Sequence, residues 1–419
     1  MKENKFIIHG GNKLYGTIEN QTSKNAILPI MSACLLTKGI VTLNKCPNIT
    51  DVQNMISILE LLGVEVKKES STVRLNMLKV KDLGIDSELS KTMRSSLFLL
   101  GSCLSRFGHV MLTLPGGCTI GKRPIDIHIK CLKKLGVKVK EVGDFVFFDS
   151  QHAHAGKVKL KLPSVGATEN LIQFACKLKG TTIISNCAKE PEIVDLANFL
   201  NSMGAKIIGA GTNRITIHGV EELNGVEYNP IADRIVAGTL MTAVAICGGD
   251  VTIRNACPEE NEKFIQILRL MGCQIETKND IIHIVNNKKL NSIGKVSTGF
   301  YPKFATDLQS LLLTASCVAQ GLTTINERVF ENRFLTAEEL RKMGAKVYVI
   351  NKHKAVVVGV KSLYGKTVEA LDLRGGASLV LAGLVAKGET VVNNIGFIDR
   401  GYEQLEKMLA SLGANIRRV

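Results

Sequence analysis

The chain has 419 residues, 45% hydrophobic and 22% charged, and 53 Lys and Arg against 38 Asp and Glu give a net charge of +15. This is ordinary globular composition, long enough for two or three domains. No apolar run approaches the length of a membrane span, and the N-terminal MKENKFIIHGGNKLYG lacks the apolar core and cleavage site of an export signal, so a cytoplasmic protein is expected.

With no Trp, only 5% aromatics and basic residues dispersed rather than blocked, platforms for base stacking are scarce. A small polyanionic substrate accounts for the charge better than nucleic acid does. The 11 cysteines form no CxxC and no Cys/His cluster with zinc spacing, which argues against a structural metal. Most sit in apolar segments such as IMSACLLT and LIQFACKLKG and read as small buried hydrophobes in a reducing compartment.

After a first strand, FIIHG, a pattern begins that returns six times. An apolar helix (AILPIMSACLLTKG) leads into a β-rich run (KGIVTLN), then an amphipathic helix closed by glycine (LLGVEV, Gly63), then another strand. The same order recurs through MRSSLFLLGSCLSRFG, FGHVMLT and Gly136, and through ATENLIQFACKLKG, KGTTIIS and Gly204. It continues through RIVAGTLMTAVAICGG, GGDVTIR and Gly272, through DLQSLLLTASCVAQG, QGLTTIN and Gly344, and through ASLVLAGLVAKG, KGETVVN and Gly413. The closing glycines are 73, 68, 68, 72 and 69 residues apart, a period that marks internal repetition. The first helix of each unit is apolar on most faces and is expected to be buried. Each unit reads strand, buried helix, strand, surface helix, strand, an α/β architecture with helices inside. FIIHGGNKLYG lines up with ITIHGVEELNG and VVVGVKSLYG, so the first strand is expected to complete the last unit's sheet.

The buried helices start at Lys24, Arg94, Ser164–Gly166, Arg234, Asp307 and Arg374. A helix N-terminus already carries partial positive charge and free N–H groups. Cations added there are costly unless an anion or a neighbouring carboxylate neutralises them. An anion site is one reading; pairing with a carboxylate such as Asp233 or Asp372 is the other. The loops after the β-rich runs hold Arg123 and Arg400, each 13 residues before its unit's glycine, and Arg333, 11 before. Their planar forks suit phosphate and carboxylate. The loop PGGCTIGKRP places Cys118 beside Lys122 and Arg123, where neighbouring cations favour thiolate and a reactive or acid/base thiol.

The stretches SKNAILPI, KTMRSSL, LPGGCTIGKRPIDIHI, PSVGATEN, AKEPEIVDLANFL, ADRIVAGT, FATDLQ, VFENRF, DLRGGASLVLAG and IDRGYE resemble the UDP-N-acetylglucosamine 1-carboxyvinyltransferases, a family of enolpyruvyl transferases. The resemblance runs from residue 24 to the C-terminus. It implies an inside-out α/β barrel of six βαβαβ-type repeats, about 70 residues each, in two domains of three that close over the substrates. Residues 22–230 would form the domain carrying the Cys118 loop, and 1–21 plus 231–419 the second.

By the same resemblance, the activity is transfer of the enolpyruvyl group of phosphoenolpyruvate to the 3-hydroxyl of UDP-N-acetylglucosamine with release of phosphate, in peptidoglycan precursor synthesis. Lys24, Arg123 and Arg400 look like the binders of phosphoenolpyruvate, with Arg94 nearby. Asn25 and Asp307 would hold the sugar, Asp307 also acting as base for its 3-hydroxyl. Arg123, Pro124, Ile125, Asp126 and Ile127, with Ser164, Val165 and Gly166, would meet the uridine diphosphate. Val329 would lie against the nucleotide-sugar. Arg333 and Arg374 look like active-site arginines, with Asp51 and Asp372 positioning active-site groups. Cys118 looks like the proton donor and the target of fosfomycin. No metal, organic cofactor, membrane or obligate protein partner is implied.

Two departures from the family pattern stand out: QTSKNA replaces SGAKNA, and Leu162 stands where a lysine is often found. Two other readings stay open, a 3-phosphoshikimate 1-carboxyvinyltransferase and a non-catalytic paralogue that binds UDP-sugars.

Overall fold

The computed structural model describes residues 4–81, 97–113 and 125–419. It is a mixed α/β protein in two compact units. One contains the residues up to Gln21 together with Ala232–Val419, and the other the described residues from Thr22 to Ile231. Each has its own apolar core.

The buried helices are Lys24–Ala33, Leu100–Phe107 and Val165–Ala175 in one unit and Arg234–Cys247, Gln309–Val318 and Leu373–Val385 in the other. Every residue from Arg234 to Ala245 is buried, which is why this helix shows no polar face in the sequence. The amphipathic helices are Thr50–Leu61, Asp126–Lys134, Pro191–Ser202, Glu262–Leu270, Thr336–Lys342 and Leu405–Ser411. None of the described helices is long and apolar enough to cross a membrane.

All six repeat glycines take positive φ: Gly63 at 86°, Gly136 at 85°, Gly204 at 105°, Gly272 at 111°, Gly344 at 91° and Gly413 at 102°. Each ends a surface helix in the left-handed region where a Cβ is unfavourable, so the periodic sequence signal is a backbone requirement.

The structure departs from the sequence reading in one regular way. What reads as a single strand after the surface helix is a hairpin, as in Glu65–Glu69 with Thr72–Asn76 and Lys138–Val142 with Phe145–Asp149. The tight turns use positive φ at residues such as Ser70, Gly143 and Asn279, and two of these carry no glycine signal. In the last unit the second hairpin strand comes from the other end of the chain. Lys5–His9 pairs antiparallel with both Asn415–Arg418 and Glu389–Asn393, as the N-terminal alignment predicts.

A typical sheet is built from the hairpin, the β-rich strand and a fourth strand parallel to it, as in Leu14–Glu19 beside Gly249–Arg254. The sheets are separate four-stranded and smaller assemblies among the described residues, each ending on edge strands, and no sheet closes on itself. No hydrogen-bonded barrel forms among the described residues. The described cysteines are free thiols, buried except for the half-buried Cys247 and Cys257. Burial pushes the thiols of Cys176 and Cys317 up to about 12, as inert packing groups require.

Candidate active site

Arg94, Cys118, Arg123 and Pro124 lie outside the described residues. Most of the remaining candidates fall into three groups, two in the first-half unit and one in the unit that holds both chain ends, and Arg400 and Val329 stand apart in the latter.

In the unit of Thr22 to Ile231, Lys24 opens its helix and its ammonium lies 3.0 Å from Oδ2 of Asp51, with both side chains mostly buried. Asp51 stands in the first turn of the next helix, so the carboxylate is held where helix polarity favours it. Asn25 is half-buried on the same helix start as Lys24.

In the second group, Ser164 caps Val165–Ala175 and accepts a hydrogen bond from the Ala167 N–H, leaving Val165 and Gly166 at the helix start. Ile125 and Asp126 begin the neighbouring helix, with Ile127 next. The two starts meet through His128: a Cβ on Gly166 would stand 3.4 Å from its Nε2. Burial pushes His128 down to about 4 against the lift of the Gly166 backbone and the Asp126 carboxylate, so the ring is neutral at pH 7. Leu162, at the family's usual lysine position, is 49% exposed.

The third group centres on Asp307, in a 3-10 turn ahead of Gln309–Val318. Arg333 Nη2 lies 3.2 Å and Arg374 Nε 3.3 Å from the same oxygen, Oδ1. Both arginines are 4% exposed, whereas the Asp307 side chain is 27% exposed. Burial alone would raise the Asp307 pKa. Arg374, then Arg333 and Arg234, outweigh it and hold the carboxyl well below the usual carboxylate range.

The arginines are oriented by rings, Arg333 over Phe330 at 5.0 Å and Arg374 over Tyr402 at 6.0 Å. Tyr402 is itself fixed by a 2.8 Å hydrogen bond between its hydroxyl and that of Thr239. Nε of Arg333 and Nη1 of Arg374 are buried donors with no protein acceptor among the described residues. Buried guanidinium donors are normally satisfied, so this geometry suits an anion.

The carboxylate-pairing reading of the helix starts is corrected for Asp372 and Arg374. Asp372 Oδ1 accepts the backbone N–H of Arg374 and Gly375, and Asp233 Oδ1 those of Ile235 and Val236. Both are helix caps. The carboxylate facing the Arg374 guanidinium is Asp307, 67 residues away in sequence.

Arg400 caps the short helix Gly396–Asp399. The segment after it is fastened by Gln21, whose Nε2 donates to Gly401 O at 3.0 Å and whose Oε1 accepts the Glu403 N–H at 2.9 Å. One departure from the family pattern, the glutamine of QTSKNA, thus holds the backbone beside Arg400. Val329 is half-buried, its N–H 2.7 Å from Glu327 Oε1. No sequence motif assigns a role to Tyr402 or Glu327. The only signal of Glu327 was an acidic residue directly after a β-rich run.

Comparison with known proteins agrees with the resemblance. The EPSP synthase (3-phosphoshikimate 1-carboxyvinyltransferase) family matches residues 8–409. The UDP-N-acetylglucosamine 1-carboxyvinyltransferase 2 of Caldanaerobacter subterraneus is 46% identical over 415 residues, 99% of each chain. The UDP-N-acetylglucosamine 1-carboxyvinyltransferase of Halothermothrix orenii is 44% identical, also over 99% of each. In fold, the chain matches the enolpyruvyl transferase NikO from Streptomyces tendae with a TM-score of 0.89 at 24% identity, covering 100% of this chain and 99% of that one. This chain belongs to the UDP-N-acetylglucosamine 1-carboxyvinyltransferases, within the wider family of EPSP synthase and its enolpyruvyl-transferring relatives.

Proposed function

We propose that this enzyme transfers the enolpyruvyl group of phosphoenolpyruvate to the 3-hydroxyl of UDP-N-acetylglucosamine and releases phosphate. The supporting observation is the cluster around Asp307: one carboxylate held by two buried arginines that keep further donors without acceptors among the described residues. Such a cluster suits a substrate that brings several anionic groups next to a hydroxyl to be deprotonated.

In this reading Lys24, Arg94, Arg123 and Arg400 hold the phosphate and carboxylate of phosphoenolpyruvate. The helix starts at Ile125–Ile127 and Ser164–Gly166 offer N–H groups to the uridine diphosphate. Asn25 and Val329 contact the nucleotide-sugar. Cys118 gives a proton to the methylene carbon while the 3-hydroxyl oxygen attacks C2 and passes its proton to Asp307. The Cys118 thiolate then takes a proton back from the new methyl group while phosphate leaves C2 and carries off the proton held by Asp307, which restores both groups and leaves the enol ether. The arginines stabilise the phosphate as it departs.

The ion pairs keep Asp307 charged, as a base must be before it takes a proton. An anion that draws Arg333 or Arg374 from Oδ1 raises its proton affinity at the moment of use. We read the six repeats as the inside-out arrangement of this family, with 22–230 and 1–21 plus 231–419 as its two domains, in a cytoplasmic enzyme that needs no nucleic acid, membrane or cofactor.

The test is phosphate release from phosphoenolpyruvate with each acceptor offered separately. Release with UDP-N-acetylglucosamine supports the assignment, and release only with shikimate 3-phosphate overturns it. Binding of UDP-N-acetylglucosamine with no release favours a non-catalytic paralogue.

A further inference from the structure

Two irregular segments of one unit carry its nucleotide-sugar candidates: 298–307, which ends on Asp307, and 327–333, which holds Val329 and Arg333. The carboxylate of Glu327, with 0% exposure, joins them. Its Oε1 accepts from the Thr298 hydroxyl at 2.9 Å, the Val329 N–H at 2.7 Å and the Phe330 N–H at 3.1 Å. Its Oε2 accepts from the hydroxyl of Thr306, the residue next to Asp307, at 3.0 Å. The Thr298 oxygen in turn accepts the Arg328 N–H at 2.9 Å. The Glu327 backbone is anchored to the neighbouring hairpin: its N–H donates to His353 O at 2.8 Å, and His353 Nδ1 lies 3.1 Å from its carbonyl oxygen.

Among the described residues, the four groups that donate to this buried carboxylate are neutral hydroxyls and amides. A buried polar group is costly unless its partners are fixed, so the arrangement trades stability for conformation. The conformation it specifies is narrow. Oε2 fixes the turn that aims Asp307, Oε1 fixes the turn that aims Val329 and starts the run to Arg333, and the Asp307–Arg333 pair at 3.2 Å closes the ring. Greasy packing in place of Glu327 would leave Val329 and Phe330 N–H without an acceptor and the Thr306 turn untied.

We propose that Glu327 is a positioning residue that sets Asp307 against Arg333 and Val329, and thereby sets acceptor binding and proton abstraction rather than phosphoenolpyruvate binding. The inference rests on the function proposed above. Glu327 touches neither substrate and acts through the two segments it ties.

The test compares Glu327→Ala and Glu327→Gln in the full chain, measuring kcat, both KM values, the pH profile and Tm. Glutamine keeps an acceptor for the Val329 and Phe330 N–H groups, and its amide can donate to the Thr306 hydroxyl. Alanine keeps neither. For alanine the expected outcome is a KM for UDP-N-acetylglucosamine raised about 10-fold and kcat lowered about 100-fold, the scale of an ångström-sized misplacement. The KM for phosphoenolpyruvate is expected to move less than about twofold, with glutamine restoring most of the loss. With Arg333 loosened from Asp307, the acidic limb of kcat/KM is expected to move to higher pH in the alanine variant and not in the glutamine variant.

A lower Tm with unchanged kinetics overturns the proposal, and so does a loss shared equally by both substrates. Should alanine fail to fold, Thr306→Val removes only the donor to Oε2 and is judged by the same readouts. A wild-type enzyme that does not turn over with UDP-N-acetylglucosamine instead sinks the function on which the proposal rests.

Discussion

The Nε of Arg374 lies 3.3 Å from Oδ1 of Asp307, and the two residues come from helix starts 67 positions apart. Arg333 reaches the same oxygen. The consequence is a carboxylate that stays charged far into acid, and two buried cations that depend on it. Asp307→Asn keeps the shape and removes the charge. We expect kcat to fall about 10²- to 10⁴-fold, the range for loss of a general base. Stability at pH 7 should fall by about 3 kcal/mol, the scale for breaking a buried ion pair. The folded pKa is depressed, so the Asp307 contribution is complete above the unfolded value of about 4 and is lost as pH falls through the folded value. Urea unfolding of both proteins should therefore show a gap that is constant above pH about 4 and closes below it. A gap that widens in acid would refute the pairing.

The residues of this cluster were legible one by one and their contacts were not. Arg374, Asp307 and Arg234 stand at equivalent helix starts, and Arg333 lies in a loop comparable to that of Arg400, all readable from the period. Which carboxylate meets which guanidinium depends on how the helix starts converge, and adjacency in sequence misleads. Asp372, two residues from Arg374, caps the helix instead. Glu327 was opaque for the same reason, since its donors Thr298 and Thr306 lie 29 and 21 residues away. The buried helices and β-rich strands were legible because apolar periodicity is written in each segment. The hairpins were not, because turns at Ser70 and Asn279 reach positive φ without glycine.

Glu169 provides a prediction on stability. It is 1% exposed, in the middle of the helix Val165–Ala175, with Oε2 lacking a hydrogen-bond partner among the described residues. Burial first, then the carboxylates of Glu192 and Glu190, push its pKa up to about 8. The folded state holds this proton where the unfolded chain has released it, so stability should decline as pH rises from the unfolded value of about 4.3 towards 8. Glu169→Gln mimics the protonated form. Its Tm should match wild type near pH 5 and exceed it at pH 9. A variant less stable than wild type at pH 9 would show that the ionised side chain is the one the core accommodates.

Tyr228 and Asp195 tie the segment that leaves the first-half unit. The phenol donates to Asp195 Oδ1 at 2.6 Å, and the Ile231 N–H to Oδ2 at 3.1 Å. The Tyr228 ring meets Phe199 edge-on at 5.2 Å. Burial pushes Asp195 up to about 6, while the bonds from Tyr228 and Ile231 hold it lower than burial alone would, and Glu192 adds a small lift. Tyr228→Phe keeps the ring packing and deletes one donor to this carboxylate. We expect a loss of about 2 kcal/mol at pH 8, typical of a hydrogen bond to a charged group. Because the Asp195 pKa is raised, its ionisation works against folding as pH rises, so the loss should be smaller at pH 5. Equal losses at both pH values would mean that the bond does not act through the carboxylate.

The repeat glycines offer a test that separates backbone conformation from packing. Gly204 has φ 105° and the nearest atom to an added Cβ is Asn224 Nδ2 at 3.7 Å, so there is room for a methyl group. Gly136 has φ 85° and an added Cβ would stand 2.4 Å from the backbone oxygen of His152. Gly204→Ala should therefore cost about 1 kcal/mol, the strain of an alanine in the left-handed region alone. Gly136→Ala must in addition move the backbone at His152 and should cost clearly more, about 3 kcal/mol or above. Denaturant midpoints with unchanged m-values would measure both. If the period of glycines merely reflected room for packing, the Gly204 variant would be as stable as wild type. A loss at Gly204 as large as that at Gly136 would mean instead that the left-handed turn, and not the His152 contact, sets the cost at both sites.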